Sequence, residues 1–181
     1  MRVFVAIEFE DELKEYFLTV QNSVMRSSRR GKFTDKNNFH LTLNFVGEVE
    51  TDEINSLVLA IEEIATRTKS FQLELSHLGF FPKGNRSIVW IGTKESVQIS
   101  KLFQGLQRTL QKQGFARERG GLKPHITLGR EIDLKEKFDV IKDANPVDSS
   151  KKINVTTISL MESKRVGAKL VYVPLFTSKL R

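Results

Sequence analysis

The sequence holds three histidines, His40, His77 and His125. Two of them head nearly identical strings, His40-Leu41-Thr42-Leu43 and His125-Ile126-Thr127-Leu128. His77 has no such sequel and is read as a hydrogen-bonded structural residue. In an extended chain, residues i and i+2 share a face. Each string therefore sets an imidazole beside a hydroxyl, with two aliphatic side chains pointing the other way into a core. Two such rows facing one another offer two groups that titrate near neutral pH and two hydroxyl donors. Breaking a phosphodiester calls for that set: a base to activate the nucleophile, an acid to protonate the departing oxygen, and donors for the charge on the phosphoryl oxygens. Arg130 follows the second string in HITLGR and adds a candidate charge-assisted contact to the same anion.

Other chemistries lack their residues. The chain has no Cys, which removes disulfides, thiolate metal sites, iron–sulfur clusters and cysteine nucleophiles, and fits a reducing, cytoplasmic setting. Two histidines without a third ligand at the right spacing fall short of a zinc or two-metal centre, so neither a metal nor a cofactor is expected. No G-x-S-x-G elbow, P-loop or dinucleotide fingerprint occurs.

The elements that must position the two strings are legible from periodicity. Residues 2–9 alternate as a strand, and Leu13, Tyr16, Phe17, Val20 and Val24 recur at helical spacing over about 11–26. The basic stretch RSSRRGKFTDKNN reads as a loop, and residues 39–46 as a strand ended by Gly47. Thr51 is a candidate N-cap for a helix carrying Ile54, Leu57, Val58, Ile61, Ile64 and Ala65. Strands near 71–81 and 86–92 flank the turn PKGNR. The helix with Ile99, Leu102, Phe103, Leu106 and Leu110 stops near Gly114. After the loop ARERGGLKP come the short strand HITLG, a brief helix around 134–142, the surface loop DANPVDSS, and strands at 152–162 and 169–175 joined by SKRVGAK. About seven strands and three or four helices in mixed order predict an α+β fold, not a doubly wound parallel sheet.

With 181 residues the chain suits one domain, or two small lobes sharing an interface. Lys and Arg total 29 against 22 Asp and Glu, a formal charge of +7 that favours a polyanionic partner. Arg29, Arg30 and Lys32 precede the first string, and Arg117, Arg119 and Lys123 the second, so both clusters are candidates for phosphate contacts near the site. The apolar run at the start is too short for a signal peptide, and no window is long enough to span a bilayer.

The strings HLTLNFVGEV and HITLGR, with the opening FVAIEF, the hairpin ending SIVWIG and the terminal strand pair, resemble the two-histidine (2H) phosphoesterase superfamily. Within it they are most similar to the bacterial and archaeal RNA 2′,3′-cyclic phosphodiesterase branch, which includes proteins described as 2′-5′ RNA ligases. The resemblance implies one bilobal α+β catalytic domain over 1–181: two pseudo-symmetric antiparallel-sheet lobes, helices outside, a central cleft between. It also implies metal-independent hydrolysis of RNA 2′,3′-cyclic phosphate ends to 2′-phosphate ends. On that reading His40 donates a proton to the leaving 3′-oxygen, His125 activates water, and Thr42, Thr127 and Arg130 hold the phosphate. Phe4 or Phe9 is a candidate for stacking on the terminal base, and a monomer is expected. The rival readings are 2′-5′ ligation, a small cyclic nucleotide or ADP-ribose cyclic phosphate as substrate, and a non-catalytic RNA-binding module.

Overall fold

The computed structural model describes residues 1–118 and 120–181; Arg119, one of the predicted phosphate contacts, lies outside the described residues. In chain order the strands are β1 (Arg2–Ile7), β2 (Ser28–Phe33), β3 (Leu41–Glu48), β4 (Phe71–Lys83), β5 (Arg86–Thr93), β6 (His125–Leu134), β7 (Lys152–Val155), β8 (Thr157–Val166) and β9 (Lys169–Lys179). The helices are α1 (Asp11–Arg26), α2 (Ile54–Ala65), α3 (Val97–Lys112) and α4 (Phe138–Ala144). The α+β expectation holds, with more strands than periodicity revealed.

All pairings are antiparallel, in the order β7-β4-β5-β6-β3-β1-β8-β9, with β2 also beside β6. The sheet is open, and it divides into a half of five strands (β7, β4, β5, β6 and β2) and a half of four (β3, β1, β8 and β9) that meet where the two His-headed strands, β3 and β6, touch. That junction holds one registered pair, Leu41 opposite Ile126. The halves exchange chain: β3 leads through α2 to β4 in the other half, and β7 returns to β8.

The helices form where their apolar residues recur every three or four positions. In α1, Phe17, Val20 and Val24 are buried, with Asp11 and Glu12 complementing the N-terminal dipole and Arg26 the C-terminal one. In α3, Ile99, Leu102, Leu106 and Leu110 are buried, and Ser96 caps the helix by accepting from the Ile99 N–H at 3.4 Å. Gly114, at φ +89°, allows the reversal beyond it. These stripes cover one face of the sheet, where Leu41, Leu43, Ile126 and Leu128 are at most 1% exposed. Hence the aliphatic halves of both strings point into the core, and the His and Thr halves face away from it. On that opposite face Phe4, Ala6 and Met161 form a second, smaller cluster against Tyr172.

Several local expectations change. The stretch read as a loop before the first string contains β2, which pairs β6. Its sequence SRRGKF lacks apolar alternation, so the pairing depends on cross-strand charge: Arg29 and Arg30 meet Asp133 at 3.1 and 3.6 Å, and Lys32 meets Glu131 at 3.0 Å. Gly47, at φ +103°, sits inside β3 beside a register shift and does not end it. Glu50, not Thr51, caps the turn before α2, in a capping box with Glu53. The strand expected over 152–162 is interrupted at Thr156 and forms β7 and β8. The brief helix begins at Phe138, because β6 runs on to Leu134.

Candidate active site

The Leu41–Ile126 pair fixes the geometry of the site. In an antiparallel ladder, the residues flanking a pair face each other on the opposite side of the sheet from it. His40 therefore stands across from Thr127, and Thr42 across from His125, a square of four polar side chains with the two imidazoles on a diagonal. Diagonal neighbours of this kind lie about 7 Å apart at the backbone end, a span that a phosphate can bridge. The ladder opens beyond the single pair, and the gap is the cleft.

Both imidazoles are held in the same way. The Nδ1–H of His40 donates to the carbonyl of Asn38 at 2.7 Å, and that of His125 donates to the carbonyl of Lys123 at 2.5 Å. A carbonyl can only accept, so Nδ1 carries the proton in each ring and Nε2 presents its lone pair to the cleft. For His40, the Thr42 hydroxyl donates to that nitrogen at 3.0 Å.

The strands beneath are tied to helices in a repeated pattern. Gln21 of α1, buried, donates from Nε2 to the carbonyls of Leu128 and Thr34, both at 2.7 Å. Gln107 of α3, also buried, donates from Nε2 to Oδ1 of Asn44 on β3, and its Oε1 accepts from the Glu118 N–H at 2.9 Å. Each buried amide thus secures the strand that a histidine heads. Neither glutamine was singled out in the sequence. Its signal was a polar residue on an otherwise apolar helical stripe.

Arg130 reaches the cleft because β6 breaks its alternation just before it. Thr127 pairs with Trp90 and Gly129 with Val89, so two residues on β6 match one on β5. This bulge turns Gly129 toward the core, where an added Cβ would lie 2.9 Å from Ile132 Cδ1 and 3.1 Å from the Lys32 carbonyl oxygen. Arg130 is consequently directed to the cleft, and a second shift follows, at which Glu131 takes φ +53°. Its carboxylate accepts from Lys32 at 3.0 Å and Arg86 at 3.3 Å, which anchors that uncommon conformation. Here β6 also exchanges partners, from β3 at Ile126 to β2 at Gly129.

Two cavities meet at this point. One, of about 670 Å³, is lined by His40, Phe4, Phe45 and Tyr172. The other, of about 500 Å³, is lined by His125, Lys123 and the apolar side chains of Phe81, Ile88 and Leu122. Thr42 and Arg130 line both. Thr127 lies half-buried on β6, paired with Trp90, and lines neither.

The electrostatics differ between the two rings. Burial pushes His40 down from 6.5 to about 4, with Arg130 and His125 adding to the push and the Asn38 carbonyl opposing it. His125 is also lowered, first by burial and then by Arg130, against its bond to Lys123. The rings of Phe4 and Tyr172 stand 4.9 and 5.0 Å from His40. Those of Phe81 and Trp90 stand 5.3 and 5.8 Å from His125.

The remaining sequence candidates separate. Phe4 lines the His40 cavity, whereas Phe9 is 7% exposed and packs edge-on against Phe17 at 5.2 Å in the core, so it cannot stack on a base. Arg29, Arg30 and Lys32 line neither cavity and are engaged by Asp133 and Glu131. Arg117 lines a separate hollow beside Phe103, while Lys123 adjoins His125. His77 accepts from or donates to Ser76 at 2.9 Å and packs against Trp90, outside both cavities. Phe45 and Tyr172, which the sequence reading passed over, line the His40 cavity. Among the described residues no helix is long and apolar enough to cross a membrane.

Known proteins share this fold. An RNA 2′,3′-cyclic phosphodiesterase of Methanocaldococcus jannaschii is 32% identical over 155 residues, 82% of this chain and 83% of its own. Another of that name, from Archaeoglobus fulgidus, is 30% identical over 131 residues, 72% of each chain. The fold matches Escherichia coli LigT complexed with 3′-AMP at TM-score 0.81 and 24% identity, covering 99% of this chain and 97% of that one. A Thermus thermophilus structure matches at TM-score 0.84 and 24% identity, covering 100% and 98%. The family model of the 2′-5′ RNA ligase superfamily matches residues 11–167. With two His-x-Thr strands facing across one register pair and a family match over most of its length, the chain belongs to the 2′-5′ RNA ligase superfamily.

Proposed function

We propose that the protein opens RNA 2′,3′-cyclic phosphate ends to a 2′-phosphate and a free 3′-hydroxyl, using His40 and His125 and no metal. The observation that carries this reading is the square of His40, Thr42, His125 and Thr127 around the Leu41–Ile126 pair, with Arg130 shared by the cavities on either side. The name borne by the archaeal relatives supports the same activity.

The phosphate sits between the two rings, with Arg130, Thr42 and Thr127 around its oxygens. His125 Nε2 takes a proton from water as the water oxygen bonds to phosphorus. The P–O3′ bond breaks on the opposite side, and O3′ takes the proton of the His40 imidazolium. Before substrate binds, His40 is neutral and engages the Thr42 hydroxyl. The anionic substrate raises its proton affinity; once Nε2 is protonated, Thr42 is released to donate to the phosphate instead. The two proton transfers offset each other, and the histidines exchange protons with solvent before the next turnover.

The reading includes one bilobal catalytic unit acting as a cytoplasmic monomer: both histidines come from one chain, and there is no Cys to oxidise. Incubating the protein in EDTA with an oligonucleotide ending in a 2′,3′-cyclic phosphate, then analysing the end group, tests it. A 2′-phosphate is expected. Activity that appears only on adding a divalent metal, or a 3′-phosphate product, overturns it.

A second reading, joining such an end to an alcohol through a 2′ linkage, draws on the size of the His125 cavity. About 500 Å³ far exceeds the roughly 30 Å³ that one water occupies in the liquid. Product analysis with a 5′-hydroxyl oligonucleotide in excess separates the two.

A further inference from the structure

The cavity beside His40 extends well past the reacting groups, and its far end is cationic. Its length is set by β1, which runs along its floor. Ala6 is paired with Thr42 on one side and Ser159 on the other, level with the reacting groups. Phe4, two residues back, is paired with Phe45 and Met161. Arg2, two further, lies about 13 Å from Ala6 at 3.3 Å per residue. On β8 the order runs the opposite way, and Arg165 lies about 20 Å beyond Ser159 by the same measure. Arg2, Lys164 and Arg165 all line the cavity. It therefore has three zones in sequence: the histidine and phosphate-holding end, an aromatic middle of Phe4, Phe45 and Tyr172, and a basic mouth.

Two further observations mark the mouth as part of the site. The β8–β9 hairpin that carries Lys164 and Arg165 is fastened beside His40 by Asn38. This buried side chain donates to the Leu170 carbonyl at 2.8 Å and accepts from the Tyr172 N–H at 3.1 Å, while its backbone carbonyl receives the His40 Nδ1–H. Two of the three charges also remain uncommitted. Among the described residues neither Arg2 nor Arg165 makes an ion pair, whereas the clusters of β2 are engaged by Asp133 and Glu131. Arg2 instead lies over the Phe45 ring at 4.9 Å, a contact that leaves its donors available to a phosphate. The acids at the mouth are Glu162, which pairs with Lys164 at 3.3 Å, and Glu48.

Resting on the function proposed above, we infer that Arg2 and Arg165, with Lys164 between them, form a subsite for upstream phosphates of the RNA strand, which leaves the cleft along β1 and β8. The terminal nucleoside occupies the aromatic zone, and the preceding internucleotide phosphates meet first Arg2 and then Arg165. The substrate is accordingly an oligonucleotide in preference to a cyclic mononucleotide. This preference is set by the N-terminal strand and the β8–β9 hairpin, not by the basic stretches that flank the two strings in sequence.

The test compares kcat/KM on cyclic-ended mono-, di- and trinucleotides for the wild type, Arg2→Gln, Arg165→Gln, and Lys101→Gln on α3 as a charge-matched control. The wild type should gain with each added phosphate. Arg2→Gln and Arg165→Gln should each reduce the ratio of trinucleotide to mononucleotide by about fivefold, the range of an exposed charged contact. Each should also flatten the salt dependence of log kcat/KM on the trinucleotide by about 0.7. Lys101→Gln should leave ratio and slope unchanged. An unchanged ratio in both arginine variants, or an equal fall in the control, overturns the subsite. Failure of the wild type on every cyclic end overturns the parent reading instead.

Discussion

The halves around His40 and His125 share a plan but differ in enclosure. Each histidine heads a strand at the sheet junction, gives its Nδ1–H to the carbonyl two residues earlier, and rests on a strand secured by a buried glutamine. Around His40, Phe4 and Tyr172 close in and Thr42 engages the free nitrogen, and the pKa falls to about 4. Around His125 the ring sits beside a smaller, more apolar cavity, and burial and Arg130 also lower its pKa. The same bond to a carbonyl two residues earlier thus fixes the tautomer in both rings, while burial in unlike surroundings lowers the proton affinity of each. Burial leaves His40 neutral in the free protein, and in the proposed mechanism the bound phosphate anion is what equips it to act as the acid.

The largest expected effect breaks the pair. Replacing either His40 or His125 by Ala should lower kcat/KM on a cyclic phosphate by about 10²- to 10⁴-fold. The difference between them emerges with an aryl phosphodiester whose leaving group departs without a proton. His40→Ala should then recover most of its loss and His125→Ala should not; the reverse pattern exchanges the acid and base assignments.

Next in size is the double bulge of β6 against β5. Gly129→Ala places a methyl against Ile132 and the Lys32 carbonyl. It should cost about 1–3 kcal/mol by denaturant unfolding. It should also lower kcat/KM beyond what stability explains, because Arg130 is displaced. Full activity of the folded variant would show that the bulge does not position Arg130.

Enclosure itself can be altered. Tyr172→Ala opens one wall of His40, and its pKa by NMR titration should rise from about 4 toward 6.5, while that of His125 moves little. In the wild type, one ring must be charged and one neutral. The kcat/KM profile, which reports the free enzyme, should therefore be a bell centred below pH 6.5, since both rings are lowered, its two limbs belonging to the coupled pair. The kcat profile should lie at higher pH, since bound phosphate favours the imidazolium. Coincident profiles would mean the anion leaves the pair unaltered.

The effect furthest from catalysis is on stability. A histidine whose folded pKa lies below its unfolded value binds protons more readily unfolded, so stability decreases as pH falls from 6.5 toward 4 and is unaffected above that window. For His40 the full penalty is roughly 3 kcal/mol, from 6.5 to about 4. Chemical denaturation of His40→Asn across that range should show a shallower decline than the wild type.

Much of this was written in local sequence. The twin strings give the strand faces and the row of imidazole beside hydroxyl, because each depends on residues two positions apart. Helix stripes and the α+β class followed from periodicity for the same reason. What sequence could not fix was anything requiring partners far along the chain. β2 escaped notice because it is held by Asp133 and Glu131, about a hundred residues away. The register at Leu41–Ile126, the bulge that directs Arg130, and the approach of Tyr172 to His40 are likewise set between distant segments. So is the division of basic residues into those consumed by ion pairs and those left at the cavity mouth. Charge and side-chain direction along one strand are local properties; which group faces which, and how much water remains between them, are decided only when the sheet packs over its core.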